Sequence, residues 1–280
     1  MPTYAILGAT GQTGQAILNI LRRSPDVTIR AFVRSRQKLL KQNAGLAECP
    51  QLEIYEGDIS DISTLASCIS FPCSAVFSCV ATNENIPRTT IALDTAHTVV
   101  AALLRLRQEA PQDPLPRIIV LSSAIINDRL CRKLSSVGRG VLYSAFNHIY
   151  ADLERAEKFY TLHQSWMTAI FVQPGGLVHD APTGHILSTE EEHTFLSYAD
   201  LAGGIIELAE LGEEYDWQGV SVLAKGKTGM NWEAPLVIMR GLTWCTMPWL
   251  YWAFQKAGLI DGAFQRKAVA VLDKAASFAW

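Results

Sequence analysis

The amino-acid sequence predicts an α/β fold: a doubly wound parallel sheet followed by a smaller C-terminal part. Three observations support this prediction. Short apolar segments alternate with longer helix-like segments through the first 176 residues, a glycine-rich turn directly follows the first of them, and 49% of the 280 residues are hydrophobic. Such a composition can bury both faces of a sheet. We therefore expect a globular protein with a large core.

The predicted strands and helices alternate along the chain. Residues 4–7 form the first strand, and the helix after the glycine-rich turn places Ile17, Leu18 and Leu21 on one face. Further strands are predicted at 27–33, 52–56, 75–80, 117–123 and 167–172, and long helices at 91–108 and 150–163. After residue 176 the pattern leaves only short pieces such as 220–223. The sequence therefore predicts two parts, residues 1–176 and a region over 177–280 that packs on the carboxyl edge of the sheet.

Charge and cysteine content exclude several classes of protein. The 24 Lys and Arg residues against 27 Asp and Glu give a net charge of −3, which lacks the positive excess of a nucleic-acid-binding surface. The 6 cysteines form no CxxC pair and no cluster with zinc spacing, so we predict reduced thiols, no metal site and a cytoplasmic protein. No signal peptide is visible at the N-terminus. No membrane span is predicted, because the apolar segment 235–260 is interrupted by Arg240, Pro248 and Lys256.

A glycine-rich turn follows the first strand. Its glycines are spaced as GxxGxxG between a strand and a helix, where backbone N–H groups and the helix N-terminus can hold a pyrophosphate. The first two glycines let the backbone turn and approach the phosphates, and the third lets the helix pack against the sheet. An ordinary strand-to-helix turn is the alternative. The residues expected to bind the cofactor here are Gly8, Thr10, Gly11, Gln12, Thr13 and Gly14.

The charges after the second strand distinguish between the two nicotinamide cofactors. A carboxylate there would bind the ribose hydroxyls of NAD and repel the 2′-phosphate of NADP. This chain instead has Arg34, Arg36 and Lys38, and no acidic residue lies between Asp26 and Glu48. We therefore predict NADP(H), with a solvated helix start as the alternative. From the order of the strands, we expect Asp58 and Ile59 beside the adenine and Ala81 and Thr82 beside the nicotinamide ribose.

Five motifs together resemble the atypical short-chain dehydrogenase/reductase superfamily, in particular its NmrA-like branch. They follow the first, second, third, fifth and sixth strands and read GATGQTG at 8–14, VRS at 33–35, GDI at 57–59, LSSA at 121–124 and QPGG at 173–176. The resemblance covers about residues 3–180. It implies a Rossmann fold, a dinucleotide-binding domain over residues 1–176 and a substrate held under the C-terminal region. The segment 173–177 with His179 and Asp180 is also similar to a fungal subgroup of secondary-metabolite enzymes, several of which act around anthraquinone and xanthone polyketides.

The resemblance also implies a Ser, Tyr and Lys catalytic set, from which this chain departs. Ser122 and Ser123 both stand where the family has its serine, and Tyr150 stands at the tyrosine position, with Tyr143 as the alternative. Neither tyrosine is followed by the lysine of a YxxxK motif, and Glu154 stands at that spacing from Tyr150. A carboxylate there favours the neutral phenol, which is a poor base. We therefore expect Ser123 to hold a substrate oxygen and Tyr150 to donate a proton, in reduction rather than in alcohol oxidation.

Two further groups of side chains are candidates for the site. His179 follows the sixth strand and could form an acid–base pair with Asp180, although a lone histidine is more often structural. The same holds for His148 and His185. An aromatic segment near the C-terminus either lines a pocket for a flat polycyclic substrate or packs in the core and between the subunits of a homodimer. Its residues are Trp232, Trp244, Trp249, Tyr251, Trp252 and Phe254.

Three functions remain open from the sequence. The preferred one is an NADPH-dependent reductase acting on a carbonyl or quinone-like group of an aromatic, polyketide-type small molecule. The others are a non-redox acid–base enzyme, such as an isomerase, dehydratase or cyclase, and a regulatory dinucleotide sensor. The absent lysine counts against the reductase. The retained side chains of His148, Tyr150 and His179 count against the sensor.

Overall fold

The computed structural model describes residues 1–43, 45–229, 234–258 and 260. Its strands are β1 (Thr3–Leu7), β2 (Thr28–Val33), β3 (Leu52–Glu56), β4 (Cys73–Ser78), β5 (Arg117–Leu121), β6 (Ala169–Val172), β7 (Leu177–Val178), β8 (His185–Ser188), β9 (Leu196–Ser197) and β10 (Gly219–Ala224). Within the described ranges, eight of them form one sheet in the order β3-β2-β1-β4-β5-β6-β10-β8. Every neighbouring pair is parallel except β10 with β8. This arrangement confirms the predicted doubly wound α/β fold.

Helices cover both faces of the sheet. They are α1 (Gln12–Leu21), α2 (Arg36–Gln42), α3 (Ile62–Ile69), α4 (Ile91–Glu109), α5 (Ser136–Ala145), α6 (Asn147–Thr161), α7 (Tyr198–Glu210), α8 (Ala234–Thr246) and α9 (Pro248–Lys256). Side chains alternate across β1, so Tyr4 and Ile6 join the core formed with α1 and α7, while Ala5 and Leu7 join the core formed with α3, α4 and α6. All five residues of β1 are buried, as expected for a strand covered on both faces.

The strand order reverses between β1 and β4, the point at which ligands bind in open α/β sheets. Because the strands from β1 to β6 are parallel, their carboxyl ends meet at one edge. The turns that carry the predicted cofactor residues and Ser123 start from this edge, whereas Tyr150 lies on α6 and His179 follows β7. The sheet therefore places them around a common crevice.

The chain after β6 differs from the sequence-based expectation. The segment predicted at 220–223 is a strand of the main sheet, β10, rather than part of a region lying on its edge. Gly219 and Val220 pair with β6, and residues Ser221 to Ala224 continue beyond β6 and pair with β8. Sequence reasoning missed the pairing of β10 with β6 because three short strands and a helix separate these two strands along the chain. The antiparallel pair of β8 and β10 therefore extends the sheet past β6, beside the crevice.

The fold contains two further features that were not predicted from the sequence. Helix α5 was not predicted, because Gly138 and Gly140 weaken its helical pattern. Asp152 is buried and accepts hydrogen bonds from the backbone N–H groups of Ala92 (2.8 Å) and Leu93 (3.3 Å). It therefore caps the N-terminus of α4 from α6.

The aromatic segment forms α8 and α9, and α8 packs on α5. Trp244 and Tyr251 are buried, whereas Trp249 and Trp252 are 65% and 43% exposed. Trp232 lies outside the described residues. No helix within the described ranges is long and apolar enough to cross a membrane. The segment is therefore part core and part surface.

Candidate active site

The glycine-rich turn has the shape of a phosphate cradle. Gly8 has a φ of +84°, and a Cβ there would lie 2.8 Å from the carbonyl oxygen of Cys79. A Cβ on Gly14 would overlap the carbonyl oxygen of Gly8. No side chain caps the start of α1 and no acidic residue lies in its first turn, so its backbone N–H groups are open to an anion. These residues fit the pyrophosphate of a dinucleotide.

The cations after β2 are exposed at the same edge. Arg34, Arg36 and Lys38 are exposed, and in the described part of the chain none of them forms an ion pair with a carboxylate. Asp58 follows β3 close to Arg34. Hydrogen bonds from Ser60 lower the pKa of Asp58, and the positive charge of Arg34 lowers it further. Three unpaired cations in this position fit a 2′-phosphate.

The residues after β4 meet the helix that carries Tyr150. Ala81 and Thr82 line a small recess together with Ile149 and Leu153 of α6. The hydroxyl of Thr82 accepts a hydrogen bond from the backbone N–H of Glu84 at 3.2 Å, which stabilises the turn. The recess links the expected nicotinamide-ribose side of the crevice to α6. Ile59 follows β3 and packs at the boundary of the core.

The two adjacent serines after β5 have different partners. Ser122 is buried and donates a hydrogen bond to Glu157 Oε1 at 2.5 Å. Ser123 is half-buried, and its side chain lies close enough to Tyr150 to influence the pKa of that phenol. Burial raises the pKa of Tyr150 to about 12, although the side chain of Ser123 partly lowers it. Of the two serines, Ser123 is therefore the one placed beside a phenol that stays protonated at neutral pH.

Glu157 was missed by sequence reasoning. Its Oε1 accepts hydrogen bonds from Ser122 and from Gln173 Nε2 (2.8 Å), and Gln173 Oε1 accepts one from Asn127 Nδ2 (2.7 Å). Burial raises the pKa of Glu157. The network joins the ends of β5 and β6 to α6. The only signal in the sequence is its position seven residues after Tyr150, which is two helical turns along the same face.

The second tyrosine belongs to a different pair. Tyr143 donates a hydrogen bond from its hydroxyl to Glu154 Oε1 at 3.1 Å, and its ring lies 5.6 Å from that of Tyr150. Burial, followed by the charge of Glu154, raises the pKa of Tyr143. Glu154, which stands at the family's lysine position, therefore accepts a hydrogen bond from Tyr143. Tyr150 instead lies beside Ser123.

His179 lies at the glycine-rich turn. Its Nε2 is 2.9 Å from Gln12 Nε2, and its ring stacks at 4.8 Å on Tyr198. The expected pair with Asp180 is not formed, since Asp180 accepts a hydrogen bond from the backbone N–H of Gly229 at 2.5 Å. Adjacent residues of an extended chain point to opposite sides, which separates the two side chains. His179 is therefore placed beside the dinucleotide cradle.

The other two candidate histidines have no hydrogen bond or ion pair with Ser123 or Tyr150 among the described residues. His185 Nε2 pairs with Glu207 of α7 at 2.7 Å. His148 is half-buried, and burial lowers its pKa. Its Nε2 is buried without a hydrogen-bond partner among the described residues. The crevice thus brings together Ser123, Tyr150 and the cofactor cradle, with His179 at the cradle itself.

Known proteins resemble this chain in sequence and in fold. A family model described as NAD(P)H-binding matches residues 8–210. Oxidoreductase ordB of Dothistroma septosporum is 43% identical over 90% of this chain and 94% of its own length. Oxidoreductase aflX of Aspergillus parasiticus is 42% identical, with the same coverage. A short-chain dehydrogenase/reductase from Veillonella parvula, solved in complex with NADP, has a TM-score of 0.57 at 18% identity over 80% of this chain and 95% of that one.

Proposed function

Because the chain belongs to the NAD(P)H-binding family and its fungal relatives are named oxidoreductases, we propose that it is an NADPH-dependent reductase. Its substrate in this proposal is an aromatic, polyketide-type small molecule with a carbonyl or quinone-like group. The observation that carries the proposal is the pair of Ser123 and Tyr150 at the same sheet edge as the glycine cradle. The three unpaired cations after β2 favour NADPH over NADH.

The residues of this chain supply binding, orientation and a proton. The start of α1 and the cations at 34–38 would hold the dinucleotide, with Asp58, Ile59, Ala81 and Thr82 along its length and His179 beside the cradle. When bound, the nicotinamide supplies a hydride. Ser123 donates a hydrogen bond to the substrate oxygen, and Tyr150 gives its proton to that oxygen. A pKa of about 12 keeps Tyr150 in the protonated form that this role requires.

The proposal divides the chain by task. In this proposal, residues 1–176 bind the dinucleotide. Residues from 177 onward determine substrate specificity, because they follow β6, the last of the strands β1 to β6 whose carboxyl ends border the crevice. The free cysteines, four of them buried, support a location in the reducing cytoplasm. The exposed Trp249 and Trp252 support a contact with a second subunit.

A second candidate function is non-redox acid–base chemistry. The hydrogen bond of 3.1 Å between Tyr143 and Glu154 supports it, because a phenol and a carboxylate in contact can exchange a proton with a substrate without hydride transfer.

One experiment separates these functions. Purified protein is incubated with hydroxylated anthraquinones and NADPH, while NADPH absorbance and product mass are followed together. A reductase consumes one NADPH for each product that gains two hydrogen atoms. A new product without loss of NADPH would overturn the reductase and support the acid–base enzyme.

A further inference from the structure

Ion pairs at the surface join a short segment after β8 to the loop that leaves β5. Glu190 pairs with Arg132 at 3.3 Å and with Arg129 at 3.8 Å, and Glu191 pairs with Lys133. The cations lie on the loop between β5 and α5, which also carries Ser123 at its start. These contacts fasten residues 189–195 to the loop that leaves β5. The segment is thereby fixed in front of the carboxyl ends of β5 and β6.

Glu192 does not join these ion pairs and turns inward. Its carboxyl group lies directly against Gly175, where a Cβ would overlap Glu192 Oε1. The hydroxyl of Thr194 donates a hydrogen bond to this Oε1 at 2.6 Å. In the described ranges, Oε2 has no hydrogen-bond partner and no Lys or Arg pairs with the carboxylate. Burial raises the pKa of Glu192, which the hydrogen bond of Thr194 and the charge of His193 oppose.

Glu192 belongs to the same crevice as Ser123 and Tyr150. Gly175 follows Pro174, whose carbonyl oxygen accepts a hydrogen bond from the backbone N–H of Ala124 at 3.0 Å. Ala124 is the neighbour of Ser123 in the chain. Besides burial, the charge of Glu192 raises the pKa of Cys131. Cys131 Sγ donates a hydrogen bond to the carbonyl oxygen of Ala124 at 3.0 Å, and Tyr150 packs against the small apolar cluster that contains Cys131.

Glu192 Oε2 is not among the buried unpartnered atoms of the described residues, so it is accessible to water or to a ligand. Glu192 lies against Gly175, just after the carboxyl end of β6, which is the edge of the sheet where the proposed function places the substrate. A hydroxyl group on the ligand is the matching donor, and its hydrogen bond to a carboxylate is charge-assisted. A methyl ether at the same position cannot donate and would leave the carboxylate desolvated and unpaired.

We propose that Glu192 determines substrate specificity by accepting a hydrogen bond from a phenolic hydroxyl group of the aromatic substrate. This inference rests on the proposed function, because that function places an aromatic substrate in the crevice. Ser123 and Tyr150 then hold the oxygen that is reduced, and Glu192 binds a second oxygen of the same molecule. The enzyme is thus selective for hydroxylated over O-methylated rings.

The test measures binding rather than turnover. Dissociation constants for 2-hydroxyanthraquinone and 2-methoxyanthraquinone are measured by quenching of tryptophan fluorescence in the presence of NADP⁺. The wild type is expected to prefer the hydroxy compound about 10- to 100-fold, the range for a hydrogen bond to a charged group. Glu192→Ala is expected to abolish this preference, and Glu192→Gln to leave an intermediate one. Glu109→Ala, which removes an exposed carboxylate at the end of α4 that pairs only with Arg105 among the described residues, is the matched control and should keep the full preference.

Gly175→Ala supplies a second test that leaves the charge in place. The added methyl group displaces the Glu192 carboxyl, so the hydroxyl preference should fall as it does in Glu192→Ala. The ratio of two dissociation constants within one variant is insensitive to partial unfolding. A wild type that binds both quinones equally, binds neither, or shares its preference with Glu192→Ala would overturn the inference.

Parallel NADPH consumption distinguishes this inference from the proposed function. If the wild type shows a Glu192-dependent hydroxyl preference but consumes no NADPH with any quinone, the specificity role is supported and the reductase fails. If NADPH is consumed and Glu192→Ala keeps the hydroxyl preference, the reductase stands and the specificity role fails.

Discussion

At the residue scale, the two adjacent serines of the LSSA motif at 121–124 have different partners. Ser122 is directed into the protein, where Glu157 accepts its hydrogen bond, while Ser123 reaches Tyr150. Adjacent residues at the end of a strand face opposite sides of the sheet, so only one of them can enter the crevice. The sequence motif alone left both open.

Replacing Tyr150 by Phe tests the proton donor. The substitution removes only the hydroxyl, so turnover with a quinone substrate should fall about 100-fold or more, while the affinity for NADPH stays the same. Steady-state kinetics and calorimetric titration of NADPH measure the two effects. Tyr143→Phe is the matched control, because Tyr143 has Glu154 as its partner. A larger loss in the control than in Tyr150→Phe would transfer the role to Tyr143.

Replacing Arg34 by Asp tests cofactor preference. Arg34 is exposed after β2, where an acidic side chain would repel the 2′-phosphate and accept hydrogen bonds from ribose hydroxyls. NADPH affinity should drop by about 10-fold or more and NADH affinity should rise, as measured by calorimetric titration. Arg22→Asp, an exposed arginine at the other end of α1, is the charge-matched control. An unchanged ratio of the NADPH and NADH affinities would show that Arg34 does not contact the 2′-phosphate.

At the element scale, α6 connects the two sides of the crevice. One face of the helix carries Tyr150 and, two turns later, Glu157, which accepts hydrogen bonds from the ends of β5 and β6. Near its start, Asp152 caps α4. Its position is therefore fixed by contacts with three other elements, which sets the distance between Tyr150 and Ser123.

Glu157→Ala tests this coupling. It leaves the buried hydroxyl of Ser122 and the amide of Gln173 without an acceptor, which should lower the free energy of unfolding by about 2–3 kcal/mol. Urea-induced unfolding followed by circular dichroism measures the loss. Glu154→Ala, on the same helix, removes a single hydrogen bond and should cost less than about 1.5 kcal/mol. Equal losses in both variants would argue against a special role for the network around Glu157.

At the scale of the whole molecule, the parts that could be predicted were those set by local pattern. The apolar segments of β1 to β6 predicted the sheet, and the position of the glycine-rich turn predicted the edge of the sheet at which the cofactor would bind. Glu157 and Glu192 escaped, because a carboxylate in a helix or loop is usually solvated and its burial depends on residues far along the chain. The pairing of β10 with β6 was also missed, because it too joins residues that are far apart along the chain.

The exposed tryptophans provide a prediction about the assembled protein. Trp249 and Trp252 lie on α9 with much of their surface open, while Trp244 and Tyr251 are buried beneath them. Replacing Trp249 and Trp252 together by Ala should leave quinone affinity within about twofold and weaken any association between subunits. Fluorescence titration and sedimentation velocity measure the two properties. A loss of quinone affinity without a change in sedimentation would instead place these side chains at the substrate.

The position of β10 in the sheet limits where the protein can be divided into fragments. The stretch that matches the family model ends at residue 210, before β10 begins at Gly219. The backbone N–H groups of Phe171 and Gln173 donate to the carbonyl oxygens of Gln218 and Val220, at 3.0 and 2.7 Å. A fragment cut after α7 would leave these groups unpaired along an apolar strand, a template on which copies can add to one another. Such a fragment should aggregate on expression, so any exchange of C-terminal regions between relatives must keep the last strand with its sheet.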